Sequence, residues 1–200
     1  MKRSLLAFSI AALFAMSRAD SANEFDHCLL CHGANANGNE GIRAPKLSGM
    51  EPWYLTRQLE YFASGIRGKP EADVAGHEMG PVGLRAKNEG QIDAAVAFIG
   101  KLDSKRPAAT VKGDVAHGKQ LYVACASCHG AKGEGNATLS APALAARSDW
   151  YLVQQIVNYQ KEVRGADERD TYGAQMRAIV ATLPDEKAVN DVVAYINTLK

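Results

Sequence analysis

Beyond its first sixteen residues the chain has no long apolar run, and nowhere does it carry a block of one charge. The single apolar run, Leu5 to Met16, is twelve residues long, well short of the ~20 needed to span a bilayer. It follows Lys2 and Arg3 and precedes Ser17-Arg18-Ala19, so residues 1–19 read as a cleaved export signal and the mature chain as periplasmic. Without those residues the chain holds 20 basic and 22 acidic side chains. Near-neutral charge with no basic patch excludes a nucleic-acid partner. Alternating β-branched stretches are also missing, which excludes half-buried strands and leaves an all-α fold. Cysteine is scarce: the four present all belong to two copies of one pentapeptide, Cys28-Leu-Leu-Cys31-His32 and Cys125-Ala-Ser-Cys128-His129.

Those copies lie 97 positions apart, and the offset holds along the chain without insertion or deletion. Pro45 falls on Pro142, Trp53-Tyr54-Leu55 on Trp150-Tyr151-Leu152, Gln58 on Gln155, and Arg67-Gly68 on Arg164-Gly165. Gly76, Met79, Val96 and Ile99 fall on Gly173, Met176, Val193 and Ile196. A period of that length is a duplicated domain rather than a solenoid unit. The expected organisation is a first domain over 20–102, a linker over 103–113 (DSKRPAATVKG) and a second domain over 114–200. Each domain reads as three helices. The first runs into the cysteine motif from Ser21 or Asp114, and a middle one starts near Trp53 or Trp150, where Pro52 suits the first turn in one copy and Ser148-Asp149 a cap in the other. The last carries Ile92, Val96, Ile99 or Val189, Val193, Ile196 at helical spacing.

Two cysteines two residues apart admit several chemistries. In an oxidising compartment they ordinarily pair as disulfides, and the spacing also suits a thioredoxin-type pair, but the strand–helix–strand context for that is missing. Zinc would be one ligand short in each copy. Cys-x-x-Cys-His is the attachment pattern of c-type haem. Cys28 and Cys31, or Cys125 and Cys128, can each add to a vinyl group on one porphyrin edge, and His32 or His129 then lies beneath the iron as proximal ligand. Two copies in register, with no spare cysteine, predict two covalently bound haem c groups. The haems would also stabilise domains of ~80 residues, whose apolar cores are marginal alone.

The ligand on the far side of the iron decides between activating small molecules and passing electrons. Met79 and Met176 each lie 47 residues after the histidine of their copy and are the only methionines that match between copies. A thioether opposite histidine raises the reduction potential, as in cytochromes c, and nearby Gly76, Gly80 and Gly173 suggest a loop able to approach the iron. The competing reading is that both methionines fill the core. His77 competes with Met79 and has no counterpart, since Ala174 takes its place. Pro45 and Pro142 are candidates to present the carbonyl that orients each proximal histidine. Arg67 and Arg164 either pair with haem propionates or are solvated. Trp53, Tyr54, Trp150 and Tyr151 read as packing near the porphyrin, and His27 and His117 as unremarkable surface groups.

The segments CLLCHG…APKLSGMEPWYLTRQL…GIRG…HEM and CASCHG…APALAARSDWYLVQQI…EVRG…AQMRAIVATLPDE resemble class I c-type cytochromes, and the tandem form resembles the cytochrome c4 group. The likeness implies two cytochrome c folds face to face, haem propionates near the contact between domains, and a periplasmic electron carrier that often feeds a terminal oxidase. Membrane association occurs in that group, although no anchor is visible here. The segment GHEMGPVG in the first copy departs from the group's pattern.

Three functions follow from these expectations. The first is a single-electron carrier with no small-molecule substrate, working between redox proteins such as a quinol-oxidising complex and a terminal oxidase. The second is an electron-accepting dihaem subunit of a larger periplasmic dehydrogenase with a flavin or quinone cofactor. The third is an enzyme in its own right. Two methionines argue against a peroxidase, which needs an iron that can open its sixth position. The lack of a further cysteine argues against thiosulfate oxidation. The copies differ in charge, −3 against −1, which predicts two unequal potentials.

Overall fold

The computed structural model describes residues 24–69 and 72–200; the expected signal peptide and the start at Ser21 lie outside them. Eight α-helices occur among the described residues: α1 (Asp26–His32), α2 (Pro52–Ala63), α3 (Val74–Asn88), α4 (Ile92–Gly100), α5 (Val115–His129), α6 (Asp149–Gln160), α7 (Thr171–Val180) and α8 (Glu186–Ile196). No strand forms among these residues; the only β-type contacts are single bridges, Asn39 with Ala44 and Asn136 with Ala141. None of the helices is long and apolar enough to cross a membrane.

Each copy therefore has four helices rather than the expected three. The additional ones, α3 and α7, carry the two matched methionines, on segments whose glycines suggested loops. Asp73 and Asp170 start them as N-caps, accepting from Gly76 N–H at 3.1 Å and Gly173 N–H at 2.8 Å. Tertiary contact also requires glycine here. A Cβ on Gly68 would stand 2.3 Å from the Gly76 carbonyl oxygen, and one on Gly165 would stand 2.6 Å from that of Gly173. Gly76 and Gly173 thus serve close backbone approach within a helical segment, whereas Gly80 faces open space.

The two cores are unequal. In the second copy α8 turns Val189, Val192, Val193 and Ile196 inward, where they pack with Tyr122, Leu152, Leu183 and Leu199. The first core gathers Ala36, Leu55, Val96 and Ile99. Helices α5 and α8 cross at Gly118, where a Cβ would lie 1.9 Å from the Asp191 carbonyl oxygen. Gly118→Ala is expected to cost about 1–3 kcal/mol by overpacking. Gly100→Ala, at an open position in α4, should instead be neutral or stabilise by up to ~1 kcal/mol. Equal denaturation midpoints for the two variants would contradict this packing.

The same crossing holds an ion cluster that the first copy lacks. Asp191 is buried and accepts from His117 Nδ1 (2.8 Å), Lys187 Nζ (2.5 Å) and the Asp114 N–H (2.7 Å). His117, which read as a surface group, thus ties α5 to α8. Hydrogen bonds from His117, Lys187 and the Asp114 N–H hold the Asp191 carboxyl well below the usual carboxylate range. A carboxyl depressed in this way stabilises above its unfolded pKa and loses that contribution as pH falls. The melting-temperature advantage over Asp191→Asn should be full near pH 6 and shrink below about pH 4. A gap that widens in acid would contradict it.

The segment between α4 and α5 is pinned at both ends. The Asp149 carboxylate, one of the two cap candidates for α6, accepts from the Trp150 N–H (2.8 Å) but also from Thr110 N–H (2.5 Å), Thr110 Oγ1 (2.8 Å), Val111 N–H (2.8 Å) and Asn197 Nδ2 (3.0 Å). Ser148 takes the N-cap position without a side-chain bond. Toward the first copy, Lys46 Nζ donates to Ser104 Oγ at 2.7 Å and Asn37 Oδ1 accepts from the Lys105 N–H at 2.9 Å.

Candidate functional site

Each cysteine motif ends its helix at a buried histidine. The chain then turns back through a loop whose proline carbonyl meets the ring. His32 Nδ1 lies 2.7 Å from the Pro45 carbonyl oxygen, and His129 Nδ1 lies 2.7 Å from that of Pro142. A carbonyl only accepts, so Nδ1 carries the proton and Nε2 keeps its lone pair. Burial lowers both histidine pKa values, which favours the neutral ring a metal requires. Sequence reasoning anticipated both carbonyls.

His32 and Met79 line one cleft, and His129 and Met176 line the other. Both methionines are half-buried. His77 is absent from the first cleft's lining, and its Nδ1 lies 3.2 Å from the Gly68 carbonyl oxygen. Met50, which has no counterpart in the repeat, lines both clefts. Cys125 and Cys128 face the second cleft. No disulfide forms: Cys28 and Cys125 are half-buried, Cys31 and Cys128 exposed.

Between the clefts stands a shared wall of Met50, Tyr54, Gln58, Tyr151 and Gln155. Two buried arginines cross it. Arg67 donates to Gln58 Oε1 (2.8 Å), Tyr151 Oη (2.8 Å) and Gln155 Oε1 (3.0 Å). Arg164 donates to Gln155 Oε1 (2.7 Å), Tyr54 Oη (2.9 Å) and Gln58 Oε1 (2.9 Å). The network repeats about a pseudo-two-fold axis, since every partner maps onto its equivalent by the 97-residue offset. A second matched pair flanks it: Arg57 reaches the Ser140 carbonyl at 2.9 Å, and Arg43 bonds Gln154. The matched Gln58 and Gln155 were the sequence signal for this network, because a polar residue kept in both copies beside Leu55 and Leu152 needs a buried partner. Its crossing of the interface was not legible.

Among the described residues neither buried guanidinium has a carboxylate at ion-pairing distance. Arg67 Nε has no hydrogen-bond partner. Burial would raise the Tyr54 hydroxyl, but the charges of Arg164 and Arg67 more than reverse this and leave its pKa lowered. A buried guanidinium is costly without a counter-ion, so the wall suits anionic groups, although buried Asp73 and Asp170 also line the two clefts.

A haem fits these residues. The first cleft holds about 850 Å³ and the second about 1500 Å³, counting the part open to solvent; the first lies within the ~300–1,000 Å³ usual for ligand clefts and the second exceeds it. Their apolar walls suit a porphyrin face, and the two guanidiniums suit its carboxylates; Cys125 and Cys128 line the second cleft, whereas Cys28 and Cys31 are not among the residues lining the first. Zinc fits poorly. Burial pushes the Cys125 thiol up to about 11, whereas zinc takes thiolate. No three His, Cys, Asp or Glu side chains converge on a metal position among the described residues.

The profile of the cytochrome c family matches residues 18–103 and again 115–200. The chain is 32% identical over 183 residues to the thiosulfate dehydrogenase electron acceptor of Thiomonas intermedia, covering 84% of this chain and 79% of that protein. It is 28% identical over 170 residues to cytochrome c4 of Thiocapsa roseopersicina, covering 80% and 81%. Among solved structures it superposes on thiosulfate dehydrogenase of Marichromatium purpuratum with a TM-score of 0.67 at 28% identity. That match covers 86% of this chain but spans only 36% of the larger one.

Proposed function

This chain belongs to the cytochrome c family, and from that premise we propose that it is a periplasmic dihaem carrier, moving single electrons between respiratory-chain proteins. Two haem c groups are bound covalently, and each supplies a one-electron iron couple. Cys28 and Cys31 hold the first by thioethers, Cys125 and Cys128 the second. His32 and His129 offer Nε2 to the iron, each ring fixed by its proline carbonyl. Met79 and Met176, each lining the cleft of its histidine, would supply the second iron ligand, and a thioether held there would exclude exogenous ligands. Arg67 and Arg164 would neutralise propionates at the shared wall, and their bonds across it hold the two domains together, which would favour an internal electron step. The observation that carries the reading is the pairing, in each cleft, of one oriented histidine with one matched methionine.

A second reading, an electron-accepting subunit of a larger dehydrogenase, is favoured by the Thiomonas relative's name and by the Marichromatium structure. Thiosulfate dehydrogenase is the candidate donor in both readings, with a terminal oxidase as acceptor for the carrier. The purified protein should be reduced by thiosulfate only when a thiosulfate dehydrogenase is added. It should then be reoxidised by membranes containing a terminal oxidase. Gel filtration of native material separates the readings: monomer mass supports the carrier, and co-elution with a dehydrogenase supports the subunit. Reduction by thiosulfate without added enzyme would overturn both.

A further inference from the structure

The two proximal loops match in sequence position but differ in what lies behind them. Pro142 and Ala143 share one peptide unit. Its carbonyl accepts from His129 Nδ1 at 2.7 Å, and its N–H donates to Glu51 Oε1 at 2.6 Å. Glu51 precedes α2 in the first domain, so the contact crosses the interface. The equivalent peptide in the first copy, Pro45–Lys46, accepts from His32 in the same way, but Ser148 stands where a second Glu51 would be, and among the described residues no acceptor meets the Lys46 N–H. Arg147 stands at the other Glu51 oxygen, Oε2, at 3.4 Å, and donates to the Gly49 carbonyl at 2.8 Å.

We infer that Glu51 of the first domain tunes the haem of the second through the Pro142–Ala143 peptide. A carboxylate on the N–H polarises the amide and strengthens its carbonyl as an acceptor, since hydrogen bonds in a chain reinforce one another. A stronger acceptor on Nδ1 makes His129 a more electron-rich ligand. That favours the ferric iron and lowers the second centre's midpoint relative to the first. Glu51 is thus a positioning residue acting through His129, and it makes the second centre sensitive to whether the domains are docked. The inference rests on the carrier reading and on His129 as the iron's ligand.

Potentiometric titration of the holoprotein, with the two centres resolved, tests it. Glu51→Gln keeps an acceptor for the Ala143 N–H but loses the charge. It should raise the second midpoint and leave the first in place, shifting the exchange equilibrium between centres about threefold, or ~28 mV at 59 mV per tenfold for one electron. Arg147→Met removes the opposing charge and should move the second midpoint downward. Opposite signs in the two variants support the relay. No shift in Glu51→Gln, equal shifts at both centres, or the same sign in both variants overturns it. A wild-type protein without two haem waves would overturn the carrier reading itself, whereas two waves unmoved by Glu51→Gln overturn only the relay.

Discussion

Met176→Ala is expected to open the second haem to carbon monoxide in the reduced state and to halve the long-wavelength sulfur–iron absorption of the oxidised protein. Met176 lies in α7, placed by the Asp170 cap and by the close approach of Gly165 to Gly173. Alanine leaves that backbone untouched and deletes only the thioether. Deleting a half-buried methionine also costs up to ~2–5 kcal/mol in packing, but a packing loss alone does not create a ligand-binding iron. Met79→Ala should do the same at the first haem. An undiminished absorption in Met176→Ala would point to Met50, the other methionine on that cleft. Unaltered protein that binds carbon monoxide readily would remove the methionine role altogether.

Arg164→Ala should destabilise the holoprotein by about 3–5 kcal/mol, the cost of leaving a buried ion without its partner. Its guanidinium belongs to the second domain, yet it serves Tyr54 and Gln58 of the first. Loss of stability should therefore appear at both haems, followed separately in a denaturant titration. If the two guanidiniums mainly repel one another, the variant will instead be neutral or more stable. That result would mean no anion reaches the shared wall, and that the domains dock for some other reason.

Features repeated at fixed spacing were legible in the sequence. The cysteine motifs, the 97-residue period, the paired methionines and the proline carbonyls follow from local chemistry, and the geometry at His32 and His129 meets that expectation. The helices bearing Met79 and Met176 were not legible. Glycine and proline in AGHEMGPVG argue against a helix by propensity, and Asp73 capping, the Gly68–Gly76 contact and the packing of Gly83 on α2 override it. Asp149 reads as a cap but is drawn to the N–H groups of Thr110 and Val111. Burial would raise its carboxyl, and those bonds more than reverse this. Glu51 could not have been found, because its partner is a backbone N–H 92 positions away with no sequence signature.

The most direct test is peptide mass spectrometry of protein matured in a host that assembles c-type cytochromes. The fragments containing Cys28–His32 and Cys125–His129 should each carry one haem through two thioether bonds. Recovery of either fragment with free thiols, a disulfide or bound zinc from fully matured protein would contradict the account at its base.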